Sequence, residues 1–456
     1  MVGLLACAAM SAIVWFRRDL RLANNPAWAA ATADHDEVTA LFVLDDRLWK
    51  HAGPFRGPQL AAHLRSLDRR LQEAGGRLRV EREDALEVLI HLEADSVYWN
   101  DDYTPFAQQR DAAIAARLGT RAVRSHGTVV QPPGTITTKA GTPYKVFTPF
   151  FREWSQRPIP SSVAPGSAEI TADHGTGIPD APAPIMPGGE AAAADRLASF
   201  LEIADDYEES RDRPDRDATS RLSADLKFGT ISPLDVITAL GDATPGRAAV
   251  VRQLGWRDFW AQVLFHNPHT VDRAMNPVYD SIDWRDDGDG FQAWTAGKTG
   301  YPLVDAGMRQ LKAEGWIHNR VRMVVGSFLV KDLLIDWRRG ERFLRHHLVD
   351  GDTAQNVGNW QWVAGTGADA APYFRVFNPV SQSKKFDPQG SYIRRFVPEL
   401  AELGAAHIHS PWTAPVAQLA AAGIELGETY PEPIVDHAAA RQRTLEAYGR
   451  ARSLEG

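Results

Sequence analysis

One cysteine in 456 residues is the sharpest absence in this sequence. A single thiol closes no intrachain disulfide and supplies no thiolate metal set. A disulfide framework and a Cys-based metal site are therefore excluded, and a reducing cytoplasm is the expected compartment. No run approaches the ~20 apolar residues that span a bilayer, so no membrane association is expected. The opening Met1-Val2-Gly3-Leu4-Leu5-Ala6-Cys7-Ala8-Ala9-Met10 is apolar. It has no basic flank and leads straight into a strand pattern, so it reads as an extended start with Met10 the alternative initiator, not as a signal peptide. Neither G-x-G-x-x-G nor a P-loop occurs, which leaves out an ordinary dinucleotide or NTP site. Positive charge is also short: Lys+Arg number 50 against 58 Asp+Glu, a net charge of −8. A nucleic-acid partner would need a locally basic surface, since phosphate binding depends on local potential and not on the total.

What remains is an ordinary globular balance, 44% hydrophobic and 24% charged, with 14 tryptophans as the one unusual count. Single cores stop growing near ~250–300 residues, so two domains are expected. Ala12–Phe16, Val38–Leu44 and Ser96–Trp99 read as strands, and Leu60, Leu64, Leu67 and Leu71 mark a helix that stops at Gly75-Gly76. Strands alternating with helices imply an α/β, doubly wound parallel sheet of Rossmann-like type, which binds ligands at the carboxyl ends of its strands. Residues 155–190 are rich in Pro, Ala, Gly and Ser and read as a connector. Beyond it the pattern is mostly α-helical, with loops expected at Asp286–Gly290 and Val349–Gly390. The domains are placed at 10–140 and 196–450, with 141–195 between them.

Three segments of the second half carry chemistry. Tyr207-Glu208-Glu209-Ser210-Arg211 precedes Thr219-Ser220-Arg221-Leu222-Ser223, whose hydroxyls and free N–H groups before a helix can hold a phosphate or serve as ordinary caps. Trp316, Asn319, Arg320 and Met323 share a helix face at i, i+3, i+4 and i+7, a mixture that suits the rim of a polar ligand in an apolar cavity. His318 points elsewhere and reads as a packing residue. Asp350-Gly351-Asp352 lacks the remaining spacing of a calcium loop, so no metal is expected. With Asn356, Trp360 and Trp362 close behind, these carboxylates could instead bond the edge of a flat heterocycle.

In this order, the segments resemble the photolyase/cryptochrome family. Further agreement comes from Trp15-Phe16-Arg17-Arg18-Asp19-Leu20-Arg21, Leu254-Gly255-Trp256-Arg257-Asp258-Phe259, Thr299-Gly300-Tyr301-Pro302-Leu303-Val304-Asp305 and Ala371-Pro372-Tyr373-Phe374-Arg375-Val376-Phe377-Asn378-Pro379. The resemblance runs from about residue 12 to 445, with the connector unmatched. It implies an antenna-chromophore α/β domain and a helical FAD-binding domain. Carried over, Tyr207, Arg211, Thr219, Ser220, Leu222 and Ser223 would cradle the FAD phosphates and ribityl chain. Asn319 and Arg322 would flank the flavin, Asp350 and Asp352 would bond its ring edge or ribose side, and Asn356 would face N5. An amide at that position resembles the members that run on fully reduced FAD. Trp360, Trp337 and Trp284 match the tryptophan relay that feeds electrons to photoexcited FAD.

The implied activity is blue-light repair of UV-damaged DNA, in which a pyrimidine dimer is flipped out and split by an electron from excited reduced FAD. Trp256 and Trp362 would stack on the flipped bases, Arg257 would line the cavity mouth, and Met323 would pack between flavin and lesion. Arg320, Arg375, Lys384, Lys385, Arg394 and Arg395 form a candidate phosphate footprint. The (6-4) enzymes carry a histidine pair on the helix that here holds Asn319 and Met323. The chain therefore looks like a class I cyclobutane-dimer enzyme. Gln253 departs from the Glu that many such enzymes use to bond the dimer, which keeps a cryptochrome-type photoreceptor and a (6-4) photolyase as alternatives. For the antenna, Phe106-Ala107 stand where folate-binding members have Asn-Glu. The resemblance there is to the 8-hydroxy-5-deazaflavin type, with Asp102 the pocket carboxylate, and with methenyltetrahydrofolate or an empty pocket the alternatives. A monomer is expected.

Overall fold

A computed structural model describes residues 11–241 and 244–453. The Met1–Met10 segment, and with it the choice of initiator, lies outside the described residues. The chain divides into two units. One is formed by Met1–Pro143, Pro149–Asp205 and Ser220–Phe265, the other by Tyr144–Thr148, Asp206–Thr219 and His266–Gly456.

The first unit holds a parallel sheet of β1 (Ser11–Phe16), β2 (Glu37–Val43), β3 (Leu78–Glu81), β4 (Ser96–Asn100) and β5 (Ala122–Ser125), in the order β3-β2-β1-β4-β5. From Ala12 to Phe16 every residue of β1 is buried, as a central strand covered on both faces requires. The helices Pro26–Asp34, Gly53–Glu73, Ala85–His91 and Pro105–Leu118 connect successive strands, with side-chain caps from Asn25, Asp84 and Thr104 on three of them. Because β1 has β2 on one side and β4 on the other, the strand order reverses there. The carboxyl ends of β1 and β4 form the topological switch point.

The connector is less featureless than its composition suggests. Its Glu169-Ile170 pair forms β6 against Glu37-Val38 of β2, and Val80 donates to His174 O. β3 and β5 were missed in the sequence because four-residue strands give too little alternation, and the side chains of β5 are only half covered.

The second unit is helical around a core that includes Trp294, Val304, Leu311, Val325, Leu329, Trp337 and Trp360. Its structure corrects two expectations. The stretch expected to be loop from Val349 to Gly390 contains the helices Thr353–Ala364 and Pro379–Phe386, capped by Asp352 and Asn378. A third helix, Gly288–Ala296, starts inside the other expected loop, with Asp287 accepting from Gly290 N. Gly340 explains how the helices Trp337–His347 and Thr353–Ala364 come so close: a Cβ there would lie 2.3 Å from Cη2 of Trp360. After the helix Asn319–Ser327 the chain widens into a π-turn at Phe328–Asp332.

Candidate cofactor pocket and relay

His318 fixes where the central helix of the site begins. Its Nδ1 accepts from Arg320 N at 3.1 Å, so the helix opens at Asn319 and Trp316 precedes it. The expected four-residue face is therefore a three-residue one, of Asn319, Arg320 and Met323. Arg322 turns back to donate to Ile317 O at 2.8 Å and to Asp350 Oδ2 at 2.7 Å. Asp352 caps the helix Thr353–Ala364 by accepting from Gln355 N at 3.0 Å.

These elements line an open pocket. Asn319, Arg322, Met323, Asp350, Asp352 and Asn356 all line it, beside the apolar Leu344, Leu348, Trp360 and Val363. A mainly apolar wall with a few convergent polar groups is the usual make-up of a cofactor site. Two features fit the edge of a flavin. Asp350 Oδ1 is buried and has no hydrogen-bond partner in the protein, so it is a spare acceptor for a ligand N–H or O–H. Asn356 donates Nδ2 to Glu341 O at 3.2 Å and to Glu341 Oε1 at 3.0 Å. With its nitrogen committed there, the amide is left with its oxygen to accept.

Glu341 was not foreseen. It is buried, 4% exposed, and pairs with Arg345 one turn on at 2.8 Å. In the sequence it looks like a solvent-facing i,i+4 pair, and nothing local connects it to Asn356.

The tryptophans expected to relay electrons fall in or against one core. Trp337 and Trp360 are 1% and 4% exposed, and Trp284, half-buried, packs on the same cluster. Trp294, not foreseen as a neighbour, meets Trp360 edge-on at 6.4 Å between ring centres. The Arg338 guanidinium sits 5.0 Å from the Trp337 ring and is paired with Asp280 and Asp336.

In the same unit Tyr207 begins the short helix Tyr207–Ser210, and burial pushes its phenol up. Arg211 and Thr219 lie on the same segment, half-buried. Arg320 is held by Asp212, at 2.8 Å, with its guanidinium 4.3 Å from the Phe386 ring. Trp362 is half-buried, and Arg375 is exposed beside Phe374, which is 58% exposed.

The remaining expected residues belong to the first unit. Ser220 Oγ accepts from Leu222 N at 3.4 Å, and Ser223 opens the helix Ser223–Phe228. Gln253, Trp256 and Arg257 lie on the helix Pro245–His266. Gln253 Nε2 donates to Ala249 O at 3.4 Å, and Trp256 stacks on Trp260 at 5.5 Å. Arg257 donates to Thr128 O at 2.5 Å and Leu226 O at 3.1 Å, so its guanidinium braces backbone. Asp102 lies just past β4, where it accepts from Arg18 and Thr104 N at 3.2 Å each. Among the described residues there is no cluster that could hold a metal ion, and no helix is long and apolar enough to cross a membrane.

Comparison with known proteins gives a consistent result. The family model described as the FAD binding domain of DNA photolyase matches residues 250–450, and the one described as DNA photolyase matches residues 12–166. A deoxyribodipyrimidine photo-lyase of Agrobacterium fabrum is 43% identical over 472 residues, covering 96% of this chain and 97% of the relative. A solved bacterial class III photolyase from Agrobacterium tumefaciens superposes with a TM-score of 0.93 at 40% identity, covering 99% of each chain. An archaeal photolyase from Sulfolobus tokodaii, solved with two FAD molecules, gives 0.85 at 33% identity, covering 97% of this chain and 100% of that one.

Proposed function

This chain belongs to the DNA photolyase family, and on that footing we propose that it repairs cyclobutane pyrimidine dimers in DNA under blue light, with reduced FAD as cofactor. The observation that carries the reading is the pocket of Asn319–Val363, in which a spare Asp350 oxygen and a Glu341-locked Asn356 amide face an apolar wall.

When bound, reduced FAD supplies the electron that splits the dimer. The chain's own groups do the holding. Asp350 Oδ1 accepts from an N–H or O–H of the cofactor, and Arg322 holds that carboxylate in place through its other oxygen. Asn356 offers an oxygen, which suits a ring nitrogen that carries hydrogen and disfavours one that does not. Trp360, Trp337 and Trp284 relay electrons inward, since indoles are readily oxidised and sit well in an apolar core. Tyr207, Arg211 and Thr219 hold the phosphate and ribityl part. Met323 and Trp362 receive the lesion and Arg375 its DNA, with Arg320 joining only if it leaves Asp212. The roles of Ser220, Leu222, Ser223, Gln253, Trp256 and Arg257 toward cofactor and lesion rest on the family resemblance alone.

For the antenna the reading is 8-hydroxy-5-deazaflavin, supported by Phe106-Ala107 in place of the folate-type pair; extraction of the purified protein and fluorescence of the released chromophore tests it. A monomer is likewise proposed, checked by light scattering. The decisive experiment for function is repair of oligonucleotides carrying either a cyclobutane dimer or a (6-4) photoproduct. Loss of the former alone under blue light is expected. Intact dimers after flavin reduction and illumination would overturn the reading.

A further inference from the structure

The exposed pair Phe374 and Arg375 projects from a segment that forms no helix, between Thr353–Ala364 and Pro379–Phe386. What anchors it from beneath is a buried cation. Lys331, in the π-turn Phe328–Asp332 and 1% exposed, donates its Nζ to Arg375 O at 2.8 Å. Burial pushes this ammonium down to about 8, with the charge of Arg375 adding to the effect and Asp332 opposing it.

The π-turn is itself secured on its other side by the helix His437–Ser453. Thr444 Oγ1 donates to Lys331 O, Arg443 to Asp332 O, and His437 pairs with Asp332 Oδ1, each at 2.5 Å. A continuous set of bonds therefore runs from the C-terminal helix through the π-turn to the backbone of Arg375. Burying an ammonium costs free energy unless hydrogen bonds offset it. Here the hydrogen bond goes to a loop carbonyl, so the charge is spent on fixing a loop and not on an ion pair. Single-turn π insertions recur at functional sites. Lys331 does not line the cofactor pocket.

We propose that Lys331 is a positioning residue that sets the Pro372–Val376 backbone so that Arg375 and Phe374 engage damaged DNA. This rests on the reading of Arg375 as a DNA contact, and the experiment separates the two. Lys331→Met, Lys331→Arg and Arg375→Ala are compared with wild type as FAD-loaded proteins. The readouts are anisotropy with dimer-containing duplex, repair rate at saturating DNA, and flavin absorbance and photoreduction. Lys331→Met is expected to weaken damaged-DNA binding about ten-fold, the scale of coupling between contacting groups. Turnover at saturation and photoreduction should stay unchanged, and Lys331→Arg should recover most of the affinity. Unchanged affinity in Lys331→Met beside weakened affinity in Arg375→Ala overturns the proposal alone. An Arg375→Ala protein that binds like wild type removes the loop from the DNA, and the proposal falls with that reading. Loss of flavin or of saturated turnover in both Lys331 variants reduces Lys331 to a fold-stabilising group and overturns it as well.

Discussion

At Asn356 the identity of a neighbour decides the chemistry. Its Nδ2 is 3.0 Å from a buried Glu341 carboxylate, so the amide is oriented by charge and not by the pocket alone. Asn356→Asp would put a second carboxylate in that place, and like charges this close repel. The expected result is loss of the fully reduced flavin in air, read as a return of the oxidised absorbance bands within the time wild type keeps them bleached. Glu341→Gln should retain flavin binding but lower repair turnover by about 3–10-fold, since a charge-assisted bond is traded for a neutral one. Trp337 supports a sharper test. Trp337→Phe keeps an aromatic in the core, so photoreduction of oxidised FAD should fail while repair by pre-reduced enzyme persists. Unchanged photoreduction removes Trp337 from the relay. In the sequence, the proposed roles of Asn356 and Trp337 rest only on the ordered motifs. Glu341 was not, because its link to Asn356 is made by two helices meeting at Gly340, and no local spacing encodes that approach.

Among the elements, the helix Thr353–Ala364 shows why a helix can hide. Its Gln355, Asn356 and Asn359 line a cavity while Val357, Trp360 and Ala364 face the core, so its polar face imitates a loop. The strands β1, β2 and β4 were legible because continuous apolar runs have one reading at that length; β6 was not, being two residues long. The helix Pro245–His266 carries a testable anchor of its own. Asp258, fully buried, accepts from Val130 N at 3.1 Å, from Gln131 N at 2.8 Å and from Trp154 Nε1 at 2.8 Å. Burial outweighs these donors and raises its carboxyl from 3.8 to about 6. A raised carboxyl holds its proton more tightly when folded, so its contribution is full below pH 4 and is lost as pH rises through about 6. The stability advantage of wild type over Asp258→Asn should therefore shrink by about 2–3 kcal/mol between pH 4 and 7 and then stay flat, as measured by urea unfolding. A constant difference across that range would contradict it.

For the whole molecule the question is how an acidic chain of net charge −8 meets DNA. Of the six cations expected to form the footprint, Arg320 is paired with Asp212, Arg395 with Glu314 at 2.6 Å, and Arg394 donates to Ala401 O and Leu403 O. Arg375, Lys384 and Lys385 remain exposed. If these supply the phosphate contacts of the helical unit, log affinity for damaged duplex should fall with log salt at a slope of about −3. A slope near −4.5 would mean that Arg320 and Arg395 leave their carboxylates for the DNA. The sequence could count the cations but not their carboxylate partners, which come from segments far away along the chain.

The interleaving of the two units has a consequence for synthesis. The first unit needs residues up to Phe265, whereas the segment Asp206–Thr219 belongs to a unit whose main part starts only at His266. On the ribosome, Tyr207, Arg211 and Thr219 emerge long before the helices they are to join. At ~5–20 residues per second the interval until Val363, the last residue lining the pocket, appears is roughly 8–30 s. Throughout it the nascent chain has a completed sheet and an unfinished cofactor pocket, so FAD is captured late, after the sheet-bearing fold is already committed.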